Sequence, residues 1–236
     1  MSEVLVLVDF DNIEVGQSRL GLEYVGRKIL SLCGNELAQN ASRVRVRLYG
    51  GWYEKGLLTR NGQKLTGEIV SLSPITFLRG GRDSLIVNFE LAKSLLADPS
   101  TLVDNTFRRR EAQKNLRCKH PPWQGCANPA NCSCVQFIRF FNTGCSAQGC
   151  TVKGAAVLER GEQKVVDSML VVDLIYASQS GVQVVLVSRD DDMWPGLRLA
   201  ACTGSGLVHL LTKSDSNLPS YYSSLRSGAY TCLSWR

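Results

Sequence analysis

The sequence predicts an α/β fold with a central, mostly parallel sheet. Two apolar runs, at residues 4–12 and 182–188, are nearly unbroken and lead into aspartates, the pattern of strands that are buried on both faces. Segments with helical spacing of apolar residues separate the predicted strands, and this alternation is typical of β-α-β units. We therefore expect helices on both faces of the sheet.

The first hundred residues predict the opening half of this sheet. The spacing of apolar residues indicates helices at Leu22–Cys33 and Gln63–Leu72 and strands at Val44–Tyr49 and Ile75–Leu78. Leu85–Leu96 is a further apolar-periodic segment that stops near Asp98 and Pro99.

After that segment the regular pattern breaks and later resumes. Residues 104–150 are rich in Arg, Asn, Gly and Cys with little periodicity, so we expect an insertion in a core formed by residues 1–103 and 151–236. The resumed pattern predicts strands at Thr151–Arg160, 182–188 and Leu207–Leu211 and helices at Lys164–Ser178 and Trp194–Cys202.

Composition limits the class of protein. The 236 residues are 44% hydrophobic and carry a formal net charge of +6, which suits a globular core and a mild attraction for polyanions. The N-terminus lacks the basic start of a signal peptide, and no apolar run approaches the roughly 20 residues that span a bilayer. We expect a cytoplasmic protein without a membrane partner.

Aspartates gather where the two strongest strands end. Asp9 and Asp11 end the first apolar run, Asp190 to Asp192 follow the other, and Asp167 lies in the first turn of a predicted helix. Ligands of parallel sheets bind at the carboxyl ends of strands, and closely packed carboxylates repel unless a hard cation neutralises them. The acids predict a Mg²⁺ or Mn²⁺ site, although each alone could simply end a strand or cap a helix.

Such a cation suits phosphodiester hydrolysis. It can orient a phosphate, stabilise charge on its oxygens and lower the pKa of an attacking water. The chain has only two histidines, His120 and His209, which weakens a mechanism based on a histidine general base.

Three stretches, VLVDFDNI, EQKVVDSMLVVDL and VLVSRDDDMWPGL, resemble in order the acidic motifs of the NYN domain, a branch of the PIN-like ribonucleases. The resemblance implies a three-layer PIN-like (NYN) fold and hydrolysis of RNA. By matching positions, it implies catalytic roles for Asp9, Asn12, Asp167, Asp190 and Asp192, with all of these except Asn12 holding the metal. The chain departs from the family at Arg189, where glycine is usual, and at Asp191, where a small residue is usual.

The predicted insertion is rich in metal-ligating residues. Nine cysteines in a chain without an export signal favour thiols or metal ligands over disulfides. We expect one structural Zn²⁺, with two left open, held by some of Cys118, His120, Cys126, Cys132, Cys134, Cys145 and Cys150. Free thiols in a loop or disulfides in an oxidising compartment are the alternatives.

Basic residues are candidates for contact with the RNA. Residues 108–119 place six cations against one acid, a density that suits phosphate contacts but also suits a solvated surface. The predicted substrate-binding residues are Arg79, Arg82, Arg108, Arg109, Arg110 and Arg189. Of these, we expect Arg79 and Arg82, which flank two glycines near the end of a predicted strand, to lie close to the acids.

The sequence thus favours a metal-dependent ribonuclease with RNA as its partner, and leaves a homo-oligomer or an activating protein partner open. One alternative is a non-catalytic module that binds nucleic acid or protein through the zinc element. Another is a phosphatase, because Asp9-Phe10-Asp11 has the Asp-x-Asp form of a phosphatase signature, but the other acids match the nuclease pattern better.

Overall fold

The computed structural model describes residues 2–79, 83–111, 125, 127–128, 131–157, 159–163, 165–203, 206–212, 220–225 and 230–235. The chain forms two compact units, Met1–Phe107 with Gln163–Arg236, and Arg108–Glu162. The second unit overlaps the predicted insertion at 104–150 and extends past it.

The strands and helices are bounded as follows. The strands are β1 (Ser2–Asp9), β2 (Ala41–Tyr49), β3 (Tyr53–Glu54), β4 (Leu57–Leu58), β5 (Ile75–Arg79), β6 (Asp83–Leu91), β7 (Phe107–Glu111), β8 (Glu159–Gln163), β9 (Gln183–Val187), β10 (Leu207–Leu211) and β11 (Tyr230–Ser234). The α-helices are α1 (Val15–Ser18), α2 (Leu22–Cys33), α3 (Arg60–Leu72), α4 (Ser133–Thr143), α5 (Gly154–Val157), α6 (Val166–Gln179) and α7 (Trp194–Thr203). Short 3₁₀ turns occupy Phe10–Asn12, Asp191–Met193 and Ser220–Leu225. Within the described part of the chain, no helix is both long enough and apolar enough to cross a membrane.

A seven-stranded sheet lies at the centre of the first unit, in the order β11-β10-β9-β1-β2-β6-β5. All neighbouring pairs are parallel except β5 with β6, which is antiparallel. The predicted mixed α/β fold with a mostly parallel sheet is therefore confirmed. The chain moves from β1 to β2 on one side and returns to β9 on the other, so a topological switch point lies between β1 and β9.

Alternation along β1 divides the core into two layers. Val4, Val6 and Val8 pack into an apolar cluster with α2 and α3, whereas Leu5 and Leu7 pack into a second cluster with α6 and α7. Successive strand residues face opposite sides of a sheet, which explains why β1 is apolar at nearly every position. The sheet is covered by helices on both faces, as predicted.

Several predicted elements differ from the structure. The strand expected at Thr151–Arg160 is wrong, because residues 154–157 form the helical turn α5 and the following strand β8 pairs with β7 outside the central sheet. A Cβ at Gly154 would lie 2.6 Å from the Cα of Phe141, so the glycine allows close contact with α4. The strand β11 and the hairpin β3-β4 were not predicted.

Candidate metal centre

Three aspartates meet at the switch point. Asp9 ends β1, Asp190 follows β9, and Asp167 lies in the first turn of α6. Each offers a carboxylate oxygen that lies within 4.8 Å of the oxygens offered by the other two. The structure thus brings together three of the four predicted ligands of the divalent cation.

Asp9 is the most enclosed of these acids. Only 2% of the residue is exposed, and its Oδ2 accepts hydrogen bonds from Asn12 Nδ2 and from Ser188 Oγ, the latter at 3.0 Å. Burial raises the pKa of Asp9 to about 6; the two hydrogen bonds oppose this rise, and the charges of Asp167 and Asp11 add to it. Asn12 therefore contacts the acidic cluster directly, and its amide orients a carboxylate.

Ser188 connects Asp9 to the loop that carries Asp190. The Ser188 hydroxyl, fully buried, donates to Asp9 and accepts from the backbone N–H of Asp190 at 3.1 Å. His209 Nε2 lies 2.9 Å from the carbonyl oxygen of Ser188, and His209 Nδ1 lies 3.0 Å from the hydroxyl of Tyr230. Burial lowers the pKa of His209 to about 4, so the ring is neutral and its Nε2–H donates to the carbonyl while Nδ1 accepts from Tyr230. A chain of hydrogen bonds from β11 and β10 thereby holds the end of β9.

Asp167 and Asp192 are more exposed than Asp9. Partial burial raises the pKa of Asp167, and the charges of Asp190 and Asp192 raise it further. Asp192 is exposed and lies in the 3₁₀ turn after Asp190. Among the described residues it does not belong to the group of three acids, but its charge acts on Asp167 and therefore contributes to the same negative field.

The helix that presents Asp167 begins at an unusual backbone position. Val165, at the N-cap of α6, has φ of 59° and ψ of 0°, and its side chain makes no capping hydrogen bond. A β-branched residue rarely adopts this left-handed conformation, and strain of this kind concentrates at functional sites. The Asp167 carboxylate compensates the positive end of the helix dipole.

Asp11 does not join the cluster, since its Oδ2 accepts the backbone N–H of Gly51 at 3.0 Å. A Cβ at Gly50 would lie 2.8 Å from Asp11 Oδ2 and 2.7 Å from the ring of Trp52. Glycine at this position thus allows the loop after β2 to pack closely against Asp11. Trp52 is fully buried beneath the same loop and donates from Nε1 to the Leu48 carbonyl at 2.8 Å.

Asp191 faces an aromatic cluster instead of the metal ligands. The Asp191 carboxylate accepts a hydrogen bond from the Tyr221 hydroxyl. Desolvation raises the pKa of Tyr221, and the charge and hydrogen bond of Asp191 raise it further. The ring of Tyr221 lies 4.8 Å from that of Trp194 and 5.1 Å from that of Tyr222. The cluster anchors the turn that carries Asp190 and Asp192.

Asp173, on the same helix as Asp167, makes buried contacts that hold the fold together. Its Oδ2 accepts from the Tyr49 hydroxyl at 2.6 Å and lies 3.3 Å from Arg47 Nε, while Oδ1 accepts from the Leu96 N–H at 2.7 Å. Burial raises the pKa of Asp173, and these hydrogen bonds and the Arg47 charge oppose the rise. The residue joins α6 to β2 and to the segment after β6.

The arginines that were predicted to bind the substrate lie in different parts of the structure. Arg79 was expected near the acids, and this expectation was wrong: its guanidinium donates to the carbonyls of Ala38 and Gln39, just before β2 begins. The cause is the antiparallel direction of β5, which takes its end to the opposite edge of the sheet. Arg82 lies outside the described residues.

The remaining predicted arginines follow two of the strands. Arg189 is exposed and lies between Ser188 and Asp190, beside the acidic cluster. Arg108, Arg109 and Arg110 lie on β7 in the second unit, where the first two are exposed.

Two of the predicted zinc ligands contact each other. Cys145 and Cys150 share a side-chain hydrogen bond, which together with a bond to the Ala147 backbone lowers the pKa of Cys145. Cys132 is the N-cap residue of α4, and Cys134 lies in its first turn. Cys118, His120 and Cys126 lie outside the described residues. Among those described, no three Cys or His residues form a metal-binding group.

Some residues of the site were not predicted. The roles of Ser188 and His209 depend on contacts across the sheet that spacing along the chain cannot show. Gly50 and Gly51 did carry a signal, because paired glycines directly after a central strand indicate close backbone approach to a ligand or side chain.

A cavity of about 850 Å³ lies beside β6 and the C-terminal part of α6 and is not lined by the clustered acids. Asp9 and Asp190 instead lie where β1 and β9 end. Comparisons of the chain with protein-family models, with curated proteins and with solved structures gave no match.

Proposed function

We propose that this chain is a metal-dependent ribonuclease with a PIN-like (NYN) fold that hydrolyses RNA phosphodiester bonds. The observation that carries the proposal is the convergence of Asp9, Asp167 and Asp190 within 4.8 Å of one another at the switch point of the sheet. Three carboxylates from separate elements meet where parallel α/β sheets bind their ligands.

The donor set fits Mg²⁺ or Mn²⁺. All three groups offer hard carboxylate oxygens, which these ions prefer. The raised pKa values of Asp9 and Asp167 record the repulsion and desolvation that a divalent cation would offset. When bound, the ion would stabilise charge on the phosphate and lower the pKa of a water nucleophile.

The surrounding residues orient this set. Asn12 and Ser188 both donate to Asp9 Oδ2, which leaves Oδ1 of that carboxylate for the cation. Asp192 adds negative charge beside Asp167, and the exposed Arg189 offers a planar fork to a phosphate. RNA, rather than DNA, is proposed from the resemblance of the three motifs to NYN domains.

Cleavage of a labelled panel of single-stranded RNA, structured RNA and DNA tests the proposal. We expect RNA cleavage with Mn²⁺ that is lost in EDTA and in the variants Asp167→Asn and Asp190→Asn. The matched control is Asp83→Asn, since Asp83 is 70% exposed and pairs only weakly with Arg79 at the opposite edge of the sheet. In EDTA no variant should unfold at a lower temperature than the wild-type protein, because removing a charge from the cluster relieves repulsion.

The outcomes separate the function classes. Undiminished cleavage in Asp190→Asn would remove the proposed metal site. RNA binding without cleavage by the wild-type protein would favour a non-catalytic binding module, and a phosphorylated Asp9 during turnover would favour a phosphatase.

We also propose that the cysteine-rich segment holds a structural Zn²⁺. The contact between Cys145 and Cys150 supports this, because it places two soft ligands together. Hydrogen bonds with the Ala147 backbone and with Cys150 also lower the pKa of Cys145, which favours the thiolate that binds metal. Metal analysis should find zinc in the wild-type protein and in Cys202→Ser, an exposed cysteine on α7, but less in Cys145→Ser. A wild-type protein that is free of zinc after expression in zinc-rich medium would contradict the proposal.

A further inference from the structure

A second, smaller cavity borders the turn that directly follows Asp9 in the chain. It has a volume of about 270 Å³ and is bordered by the 3₁₀ turn that follows Asp9 and by residues of α1 and α3. Pockets for complete small ligands usually measure roughly 300–1,000 Å³. This cavity therefore suits one group of a longer ligand that extends from the metal centre.

Positive charge borders the cavity. Arg19 and Lys64 both line it, and the Arg19 guanidinium has no ion pair among the described residues. Lys64 lies 3.5 Å from Glu68 with 59% of its side chain exposed, and an exposed pair of this kind is weak. Both cations can therefore turn to an anion in the cavity.

The start of α3 adds to this potential. Asn61, in its first turn, also lines the cavity, and that turn contains no acid. The positive end of a helix dipole of this length favours an anion. Asp11 is the acidic residue of the lining, where its Oδ2 accepts the Gly51 N–H, and the two cations outnumber its single negative charge.

Buried apolar side chains form the floor of the cavity. Phe10, Ile13 and Leu65 line it and are each at most 6% exposed. A buried apolar floor with cations at its border suits a sugar with its phosphate better than a free metal ion.

We propose that this cavity binds one nucleotide of the substrate strand, with Arg19 and Lys64 contacting a phosphate that flanks the scissile linkage. This inference rests on the proposed ribonuclease function. The turn at residues 10–12 belongs to both places, because Phe10 and Asp11 line the cavity and Asn12 donates to Asp9. Arg19 is then a substrate-binding residue that the acidic motifs do not contain.

The test is a double-mutant cycle between the protein and the RNA. Single methylphosphonate linkages, which are neutral, replace the phosphates of a cleavable RNA one at a time, and kcat/KM is measured with Mn²⁺ for each. At one flanking linkage, neutralisation should lower kcat/KM of the wild-type protein by about tenfold, the scale of one charge-assisted hydrogen bond. On native RNA, Arg19→Gln should lower kcat/KM by a similar factor. Neutralising the same linkage should then lower kcat/KM of Arg19→Gln by less than about a further twofold.

Three further variants test whether the effect belongs to the cavity. Arg43→Gln is the matched control, because Arg43 is an exposed arginine near the start of β2, at the opposite edge of the sheet, and it should keep the full sensitivity. Arg19→Lys retains the charge and should recover part of the lost rate, and Lys64→Gln should couple to the same linkage.

If the wild-type protein cleaves RNA but no linkage couples to Arg19 or Lys64, the nucleotide site is overturned and the ribonuclease stands. If the wild-type protein cleaves no RNA, the proposed function fails, and the nucleotide site fails with it. Coupling at a single flanking linkage supports both.

Discussion

Asp9 combines deep burial with two hydrogen-bond donors. Burial favours the protonated acid, while the donors Asn12 and Ser188 favour the ionised form. Burial is the larger effect, so a charge at Asp9 is costly without a cation. The same cost makes the site selective for a ligand that brings positive charge.

This cost predicts how stability depends on pH in the metal-free protein. The pKa of Asp9 is raised from 3.8 to about 6 in the folded state, so the folded state binds more protons than the unfolded state between these values. The free energy of unfolding therefore falls as pH rises through this window, and the full shift corresponds to about 3 kcal/mol.

Urea unfolding in EDTA can isolate the contribution of Asp9. Between about pH 4.5 and pH 7.5, the wild-type protein should lose about 2 kcal/mol relative to Asp9→Asn, in which the position does not titrate. Asp83→Asn controls for a surface carboxylate. Equal pH dependence of the wild-type protein and Asp9→Asn would show that Asp9 ionises normally.

At the scale of elements, α6 carries two aspartates with separate roles. Asp167, in the first turn, faces the acids of β1 and of the loop after β9. Asp173 lies further along the helix and is fully buried, with Tyr49, Leu96 and Arg47 as partners. One helix thus presents a ligand at its start and is fixed to the sheet through its middle.

The buried partners of Asp173 predict a loss of stability without a loss of chemistry. Asp173→Ala would leave the Tyr49 hydroxyl, the Leu96 N–H and part of the Arg47 charge unsatisfied, and breaking a buried ion pair costs about 3–5 kcal/mol. Asp173→Asn keeps an acceptor for Tyr49 and should cost less. Chemical denaturation measures both values.

Activity distinguishes this role from a catalytic one. Below the temperature at which it unfolds, Asp173→Ala should keep the Mn²⁺ dependence and most of the kcat of the wild-type protein. A stable Asp173→Ala protein that cleaves no RNA would instead place Asp173 in the catalytic machinery.

The helices and strands that could be predicted are those in which the spacing of apolar residues directly reflects which positions are buried. The boundaries of α2 and β10 follow the predicted residues, because α2 has one apolar stripe and β10 is buried at every position. The direction of β5 could not be predicted, since a short strand of Ile75–Arg79 can pair either way with its neighbour, and Arg79 was misplaced as a result. The strand β11 was missed because Tyr230–Ser234 alternates only weakly and its residues are partly exposed.

The same physical limit applies to the site. Asp9 and Asp190 could be predicted to converge because the carboxyl ends of parallel strands meet at one edge. Asp167 could be added because it lies in the first turn of a helix and because the second motif resembles that of NYN domains. The contacts of Ser188 with Asp9 and of His209 with Ser188 join positions far apart in the chain. Such contacts depend on the order of strands across the sheet, which the spacing of residues does not contain.

At the scale of the whole molecule, the acidic cluster and the cysteine-rich segment belong to different units. Both apolar clusters and all three clustered acids belong to the first unit. The second unit, Arg108–Glu162, carries the cysteines Cys132, Cys134, Cys145 and Cys150 and the arginines of β7. Since β7 and β8 pair with each other, the chain leaves the first unit and returns to it along neighbouring strands.

This division predicts that the first unit survives removal of the second. With residues 109–161 replaced by a short Gly-Ser linker, no member of either apolar cluster is lost. The strands at the two junctions, β7 and β8, pair with each other, so a short linker can connect them. The shortened protein should unfold cooperatively, gain stability from Mn²⁺ and cleave unstructured RNA. The Asp190→Asn version of the same protein should show neither effect of the metal.

RNA binding should change more than folding. The deletion removes five of the six cations at residues 108–119, since only Arg108 remains, and each phosphate contact that is lost should lower the slope of log affinity against log salt by about 0.7. We therefore expect weaker and less salt-dependent binding, measured by fluorescence anisotropy across a salt series. An unchanged slope would show that these cations contact no RNA, and loss of folding would show that the second unit supports the core.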